Sequence, residues 1–103
     1  MEKLDIGSEY KKNHEIPSNV EAEQHLIGSV LVNNDIIDEI ANIISSEKFY
    51  DPIHVKIYEV IESLNNKGMI ANPITLKNYF EKNQGLDDVG GVEYLVSLTR
   101  FSS

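Results

Sequence analysis

The residues best able to carry chemistry in this sequence are closely spaced carboxylates and three histidines. Glu21 and Glu23 form one candidate acid/base pair, but residues two positions apart point to different faces of a helix. Acidic side chains in the first turn of a helix are also favoured by the helix dipole, without any catalytic role. Asp87 and Asp88 form a second pair in a turn, where aspartate is common because it bonds to the nearby backbone. Neither pair predicts a catalytic site.

The histidines favour structural roles. Glu21 and His25 lie four residues apart and could share a metal ion, but the sequence offers no third ligand nearby. An exposed pair on a helix is therefore the favoured interpretation. His54 lies one helical turn from both Tyr50 and Tyr58, so the three are expected on one helix face. A hydrogen-bonded structural histidine is favoured there over a pH-sensitive contact, because no carboxylate lies four residues to either side of it.

Motifs of nucleotide-dependent and metal-dependent enzymes are absent from the sequence. It contains neither the phosphate-binding G-x-x-x-x-G-K-[ST] loop, nor G-x-G-x-x-G, nor H-E-x-x-H. Without cysteine, disulfides, thiolate chemistry and cysteine-based metal sites are excluded. We therefore expect no cofactor, no metal and no ATPase activity in this chain.

The charge balance disfavours direct binding of nucleic acid. Nine lysines and arginines stand against 17 aspartates and glutamates, which gives a net charge of −8, and Arg100 is the only arginine. Neutralisation of phosphates by basic residues provides most of the affinity for nucleic acid, so an acidic chain is poorly suited to it. A local lysine patch remains the alternative, and its candidates are Lys56, Lys67, Lys77 and Lys82.

The length of 103 residues fits one domain with a single core. No apolar run approaches the ~18 residues that cross a bilayer, so a membrane-embedded protein is not expected. The first residues lack the basic and apolar regions of a secretory signal. We therefore expect a cytoplasmic location.

Apolar residues recur every three to four positions between helix start and stop signals, which predicts an all-α fold. We expect a compact orthogonal bundle of five or six short helices over residues 16–103, preceded by a flexible N-terminal tail over residues 1–15. The predicted helix starts are a capping box at Ser18–Glu21, Asp51 followed by Pro52, and Asn72 followed by Pro73. A second helix is expected over residues 36–44, and the last from Val92 to the end of the sequence, while Gly68 and Gly85 are predicted to end helices.

The apolar faces of these helices define a predicted core. Its members are Leu26, Ile27, Val30, Leu31, Ile40, Ile44, Phe49, Ile57, Ile61, Leu64, Leu76, Phe80 and Leu95.

Four blocks of sequence, in order and with matching spacing, resemble the N-terminal domain of bacterial DnaB-type replicative DNA helicases. The blocks are Ile16–Gln24 with Leu26–Leu31, Phe49–His54 with Ile57, Tyr58 and Ile61, Lys67–Gly68 with Ile74–Leu76, and Val89–Leu95. Together they cover about residues 16 to 99. Asn72 stands where the family commonly has aspartate and Phe80 where it commonly has leucine, and both exchanges preserve capping or burial.

The resemblance implies a part of a hexameric 5′→3′ helicase whose RecA-like ATPase lies in a separate C-terminal domain, where ATP and magnesium are expected. The family's N-terminal domains form a collar that is a trimer of dimers and recruits a DnaG-type primase. The chain is expected to be the helical head alone, without the hairpin, linker and ATPase domain, and to be a monomer or weak dimer. Its implied function is non-catalytic assembly and primase docking, with other helicase subunits, primase and a helicase loader as partners.

Partner-binding residues are expected near the end of the sequence, where the family's hairpin would begin. Tyr94, Leu98 and Arg100 are the candidates, because tyrosine and arginine are common interface anchors. Completion of the core is the alternative role for Tyr94. A free-standing helical adaptor or regulatory domain is the alternative function of the whole chain.

Overall fold

Short polar and proline signals set where the helices of this protein begin. The computed structural model describes residues 19–83 and 85–101. Within them lie five α-helices: α1 (Val20–Val32), α2 (Ile37–Ala41), α3 (Pro52–Asn66), α4 (Pro73–Lys82) and α5 (Gly91–Leu98). Four 3-10 turns, Asn34–Ile36, Ser46–Lys48, Asp87–Val89 and Thr99–Phe101, join or extend them. No strand occurs in these residues, and the predicted all-α bundle is confirmed.

The predicted starts of α3 and α4 are confirmed in atomic detail. The Asp51 carboxylate accepts a hydrogen bond from the backbone N–H of Ile53, and Pro52 occupies the first helical position. At α4, the Asn72 side chain accepts from the Thr75 N–H, and the Thr75 hydroxyl accepts from the Asn72 N–H, which forms a capping box. These local bonds satisfy backbone donors that have no partner within the helix.

Two other predicted boundaries are wrong. The N-cap of α1 is Asn19, whose side-chain oxygen accepts from the Ala22 N–H at 2.9 Å, and not Ser18. Ser18 itself and the predicted tail over residues 1–15 lie outside the described residues. The helix expected over residues 36–44 is shorter at both ends: a 3-10 turn precedes α2, and α2 ends at Ala41, which is exposed.

The end of α3 follows the glycine rule. Gly68 has φ of 75°, and its N–H donates to the Asn65 carbonyl, while the Met69 N–H donates to the Leu64 carbonyl. This pair of bonds is a Schellman motif, which glycine accommodates because it has no Cβ to clash in the left-handed region. Beyond α4, the Gly85 N–H bonds to the Phe80 carbonyl. At the other end of the chain, α5 stops at Leu98 and a 3-10 turn follows, so the predicted last helix is shorter than expected.

The five helices pack around one apolar core. All but three of the predicted core residues are buried, and those three, Leu26, Ile40 and Ile44, are partly buried and pack against the core. Buried hydrophobic residues that were not among the predicted core members are Ile37, Tyr58, Val60, Ala71, Val89 and Leu98. Across the described part of the chain, every helix is too short or too polar to cross a lipid bilayer.

Candidate partner-binding site

The three predicted partner-binding residues lie on α5 and the 3-10 turn that follows it, and they differ in burial. Arg100 is exposed and Tyr94 is partly buried. Leu98 is 0% exposed and belongs to the core, because it lies one turn after Leu95 on the inward face of α5. The turn packs against α1, where the Phe101 ring lies 5.6 Å from the His25 ring. Of the three candidates, Arg100 and part of Tyr94 therefore face outward.

Tyr94 directs its hydroxyl into the protein, toward a histidine on α3. The Tyr94 hydroxyl oxygen lies 2.6 Å from Nε2 of His54, and the two ring centroids are 6.0 Å apart with their planes 11° apart. His54 is 0% exposed, and its Nδ1 lies 2.8 Å from a carboxylate oxygen of Glu23 on α1. Gln24 completes this inter-helix polar cluster, since its side-chain N–H donates to the Tyr94 hydroxyl at 3.1 Å.

The hydrogen-bond directions in the inter-helix polar cluster follow from counting donors. Gln24 donates to the Tyr94 oxygen, so the single hydroxyl hydrogen of Tyr94 is free to donate to Nε2 of His54. His54 then carries its own hydrogen on Nδ1 and donates it to Glu23. This neutral tautomer, inferred from the network, leaves every member satisfied.

Glu23 also stabilises the start of α3. Its carboxylate is almost buried and accepts from the backbone N–H groups of Tyr50 and Asp51, in addition to the His54 ring. A carboxylate at a helix N-terminus is favoured by the positive end of the helix dipole. The interpretation of Glu23 as an ordinary first-turn acid of α1 is therefore incomplete, because it serves the start of α3 from another helix.

The residues around His54 are not the ones predicted from its helix face. Tyr50 precedes α3 and is 65% exposed, whereas Tyr58 is fully buried, so the expected face of three aromatic side chains is wrong for Tyr50. The expectation of a hydrogen-bonded structural histidine is confirmed. Its carboxylate partner, Glu23, comes from 31 residues away, and no local spacing signals such a contact.

Burial raises the pKa of two tyrosine hydroxyls. Desolvation raises the pKa of Tyr94, and the carboxylates of Asp51 and Glu23 add to the rise, while the hydrogen bond from Gln24 opposes it. Desolvation raises the pKa of Tyr58 as well, with a further contribution from Glu62. The buried Tyr58 hydroxyl has no hydrogen-bond partner within residues 19–83 and 85–101.

The arrangement holds helices together and leaves no reactive group free in the inter-helix polar cluster. It joins α1, α3 and α5, which are distant in sequence, through side chains whose hydrogen-bonding groups are paired with one another. Within the described ranges, no three histidine or carboxylate side chains converge as metal ligands. The cluster therefore positions α5 and the exposed Arg100 that follows it.

The four lysines of the alternative patch differ in what they contact. Lys56 pairs with Asp88 at 3.7 Å, and Lys77 pairs with Glu81 one turn along α4 at 3.1 Å. Lys67 and Lys82 line a groove between the end of α3 and α4. The lysines are thus divided between two salt bridges and one groove.

Comparison with known sequences gives a consistent family match. The sequence model of the DnaB-like helicase N terminal domain matches residues 15–103. The replicative DNA helicase DnaB of Rickettsia felis is 42% identical over 87 residues, which are 84% of this chain and 18% of that protein. The DnaB of Buchnera aphidicola is 30% identical over 100 residues, which are 97% of this chain and 22% of that protein. The chain spans about a fifth of the length of these relatives.

A solved structure shares the fold. The crystal structure of the N-terminal domain of DnaB helicase from Mycobacterium tuberculosis superposes with a TM-score of 0.80 at 28% sequence identity. The match covers 84% of this chain and 62% of that chain.

Proposed function

Because the chain belongs to the family of DnaB-like helicase N-terminal domains, we propose that it is a non-catalytic assembly and docking domain of a replicative DNA helicase. The observation that carries the proposal is the family match over residues 15–103, together with the shared fold. In this function the domain contacts other helicase subunits in a hexamer whose collar is a trimer of dimers. ATP and magnesium belong to a separate motor domain, and the location is cytoplasmic.

The proposed docking surface for a DnaG-type primase is the outward side of α5 and its C-terminal turn. Arg100 is exposed there, and the inter-helix polar cluster holds Tyr94 in place from behind. Arginine is well suited to such a contact because its planar guanidinium donates several hydrogen bonds. Leu98 supports this surface from the core. A helicase loader is a further proposed partner.

Substitution of Arg100 tests the surface more cleanly than substitution of Tyr94, because Tyr94 also holds helices together. Binding of the cognate DnaG-type primase to this chain is measured by calorimetry, with Lys48→Glu as a control at another exposed cation. We expect Arg100→Glu to weaken binding about tenfold, or about 1.4 kcal/mol, and the control to leave it unchanged. Equal binding by wild type and Arg100→Glu would remove Arg100 from the surface. Failure of the wild-type chain to bind would remove primase docking.

Light scattering addresses the assembly function. We expect the chain to be a monomer or weak dimer, and a version extended through the family's helical hairpin to associate more strongly. The alternative function, a free-standing helical adaptor, is separated by the gene itself. A reading frame that continues past Ser103 into a hairpin, a linker and a P-loop ATPase supports the helicase, whereas a stop codon there supports the adaptor.

A further inference from the structure

A groove of about 480 Å³ lies between the C-terminal end of α3 and one face of α4. Its apolar floor is formed by Leu64, which is buried, and Tyr79, which is partly buried. Residues 75, 78, 79 and 82 of α4 line it at helical spacing, so one continuous face of that helix is turned toward the groove. Its volume falls within the range of pockets that hold small molecules.

The groove is basic in a protein that is strongly acidic. Lys67 and Lys82 line it, and none of its lining residues is a carboxylate, although the whole chain has a net charge of −8. Within the described residues neither lysine forms a salt bridge, whereas Lys56 and Lys77 do. The Lys67 ammonium lies 6.0 Å from the centre of the Tyr79 ring, at the outer limit of a cation–π contact.

Exposed apolar side chains lie at the edge of the groove and next to its lining residues in the sequence. Met69 lines it and is 49% exposed, and the neighbouring Ile70 and Ile74 are 64% and 68% exposed. Large aliphatic side chains grouped in this way on a surface mark interaction sites more often than scattered ones do. The α3–α4 groove and these three side chains together offer apolar contact beside two cations.

We propose that the α3–α4 groove docks an acidic segment of a partner protein, in which a large apolar side chain packs on Met69, Ile70 and Ile74 while carboxylates meet Lys67 and Lys82. Charge complementarity selects this occupant. The rest of the chain carries the excess of acid and repels polyanions, so a short acidic peptide that reaches only this groove is favoured over a long nucleic acid. A second copy of the same chain is the alternative occupant, and light scattering of the groove variants separates it from a peptide.

The α3–α4 groove is separate from the surface around Arg100. The inter-helix polar cluster meets α3 at His54, and the groove meets it at Leu64 and Lys67. At 1.5 Å per residue these positions are about 15–20 Å apart along the helix. The groove can therefore accept a segment while the Arg100 surface is occupied, and failure of either proposal leaves the other intact.

Selection from a random 12-residue peptide library displayed on phage tests the proposal with the intact chain. Enriched peptides are made synthetically with a fluorescein label, and their affinities are measured by fluorescence anisotropy. The test variant is Lys67→Glu/Lys82→Glu, and its matched control is Lys48→Glu/Lys56→Glu. Both double variants take the net charge from −8 to −12, since each exchange changes it by −2. Circular dichroism and thermal melting of each variant verify folding, because both groove lysines also lie at helix C-termini and stabilise the helix dipoles.

We expect enrichment of peptides that combine aspartate or glutamate with a large apolar residue. Lys67→Glu/Lys82→Glu should bind them at least tenfold more weakly, and the control less than twofold more weakly. Ile74→Ser, at an exposed position, should weaken binding several-fold without a change in melting temperature. No enrichment of acidic peptides, or equal loss in both double variants, overturns the proposal. The proposal is also overturned if Lys67→Glu/Lys82→Glu weakens binding of a dT20 oligonucleotide, or self-association in light scattering, but leaves peptide binding unchanged.

Discussion

Three tyrosines of this chain differ in the hydrogen bonding and burial of their hydroxyls, and a Tyr→Phe exchange at each measures what that hydroxyl contributes to stability. The Tyr94 hydroxyl bonds to the buried His54 and to Gln24, the Tyr58 hydroxyl is buried without a partner among the described residues, and Tyr50 is exposed. Each exchange removes one oxygen and leaves the ring in place. The three variants therefore compare a paired, an unpaired and a solvated hydroxyl in one protein.

The largest effect is expected for Tyr94→Phe. Loss of the hydroxyl leaves Nε2 of His54 without a donor in a ring that is 0% exposed, and an unsatisfied buried acceptor costs about 1–3 kcal/mol. The Gln24 amide is partly exposed and can bond to water, so its loss adds little. We expect about 2 kcal/mol of lost stability, which corresponds to a melting temperature about 8–15 °C lower in a domain of this size.

The other two exchanges are controls, and neither is expected to lower stability appreciably. Tyr58→Phe removes a buried hydroxyl that has no partner to lose, so we expect unchanged stability or a gain of about 0.5–1 kcal/mol. Tyr50→Phe, at 65% exposure, should change stability by less than about 0.5 kcal/mol. Urea unfolding at neutral pH measures all three. A Tyr94→Phe variant as stable as Tyr50→Phe would refute the role assigned to the inter-helix polar cluster.

Alkaline pH supplies a second measurement of the same hydroxyls. Burial raises the pKa of both Tyr58 and Tyr94 above the ordinary value of 10.0, so the unfolded chain ionises before the folded one. The stability associated with the neutral hydroxyls is fully present below pH ~10 and is lost as pH rises through the folded pKa values. The wild type should therefore lose more stability between pH 9 and 11 than Tyr94→Phe does.

Three further predictions concern packing, charge and backbone. Ile57→Ala should cost about 2–5 kcal/mol in urea unfolding, because Ile57 is fully buried, and an unchanged midpoint would show that the core is assigned wrongly. Desolvation and neighbouring carboxylates, Glu59 among them, raise the pKa of Glu62, so its charge opposes folding above that pKa. Glu62→Gln should raise stability at pH 7 by about 0.2–0.5 kcal/mol and give no gain at pH 3 in parallel melts. Gly90→Ala should cost at least about 1 kcal/mol more stability than Gly68→Ala. Both glycines have positive φ, but a Cβ added at Gly90 would lie 2.9 Å from Cβ of Tyr94, whereas a Cβ added at Gly68 would have no atom within 4 Å. Equal losses of stability in the two variants would contradict this.

Helix ends and the core were predictable because their causes are local. Asp51 with Pro52 and Asn72 with Pro73 cap helices through bonds to residues two or three positions away, and Gly68 ends α3 through its own backbone angle. The errors have two different causes, one local and one tertiary. Asn19 competes with Ser18 for the same capping role, and either residue type suits it. Between α1 and α2, Asn34 bonds to Ala71 of the α3–α4 connection, so a tertiary contact accompanies the 3-10 turn there.

The sequence by itself determined the helical class, most of the core and the family, because apolar spacing, capping residues and ordered motif blocks are all readable along one chain. Only the tertiary structure decided which polar residues meet. Glu23 and His54 are 31 residues apart and His54 and Tyr94 are 40, and their contact depends on how α1, α3 and α5 pack, which no local pattern encodes. The same packing places Leu98 inside and brings Lys67 and Lys82 to one groove. Local propensity acts within a helix, whereas burial and pairing act between helices, so the site needed the fold.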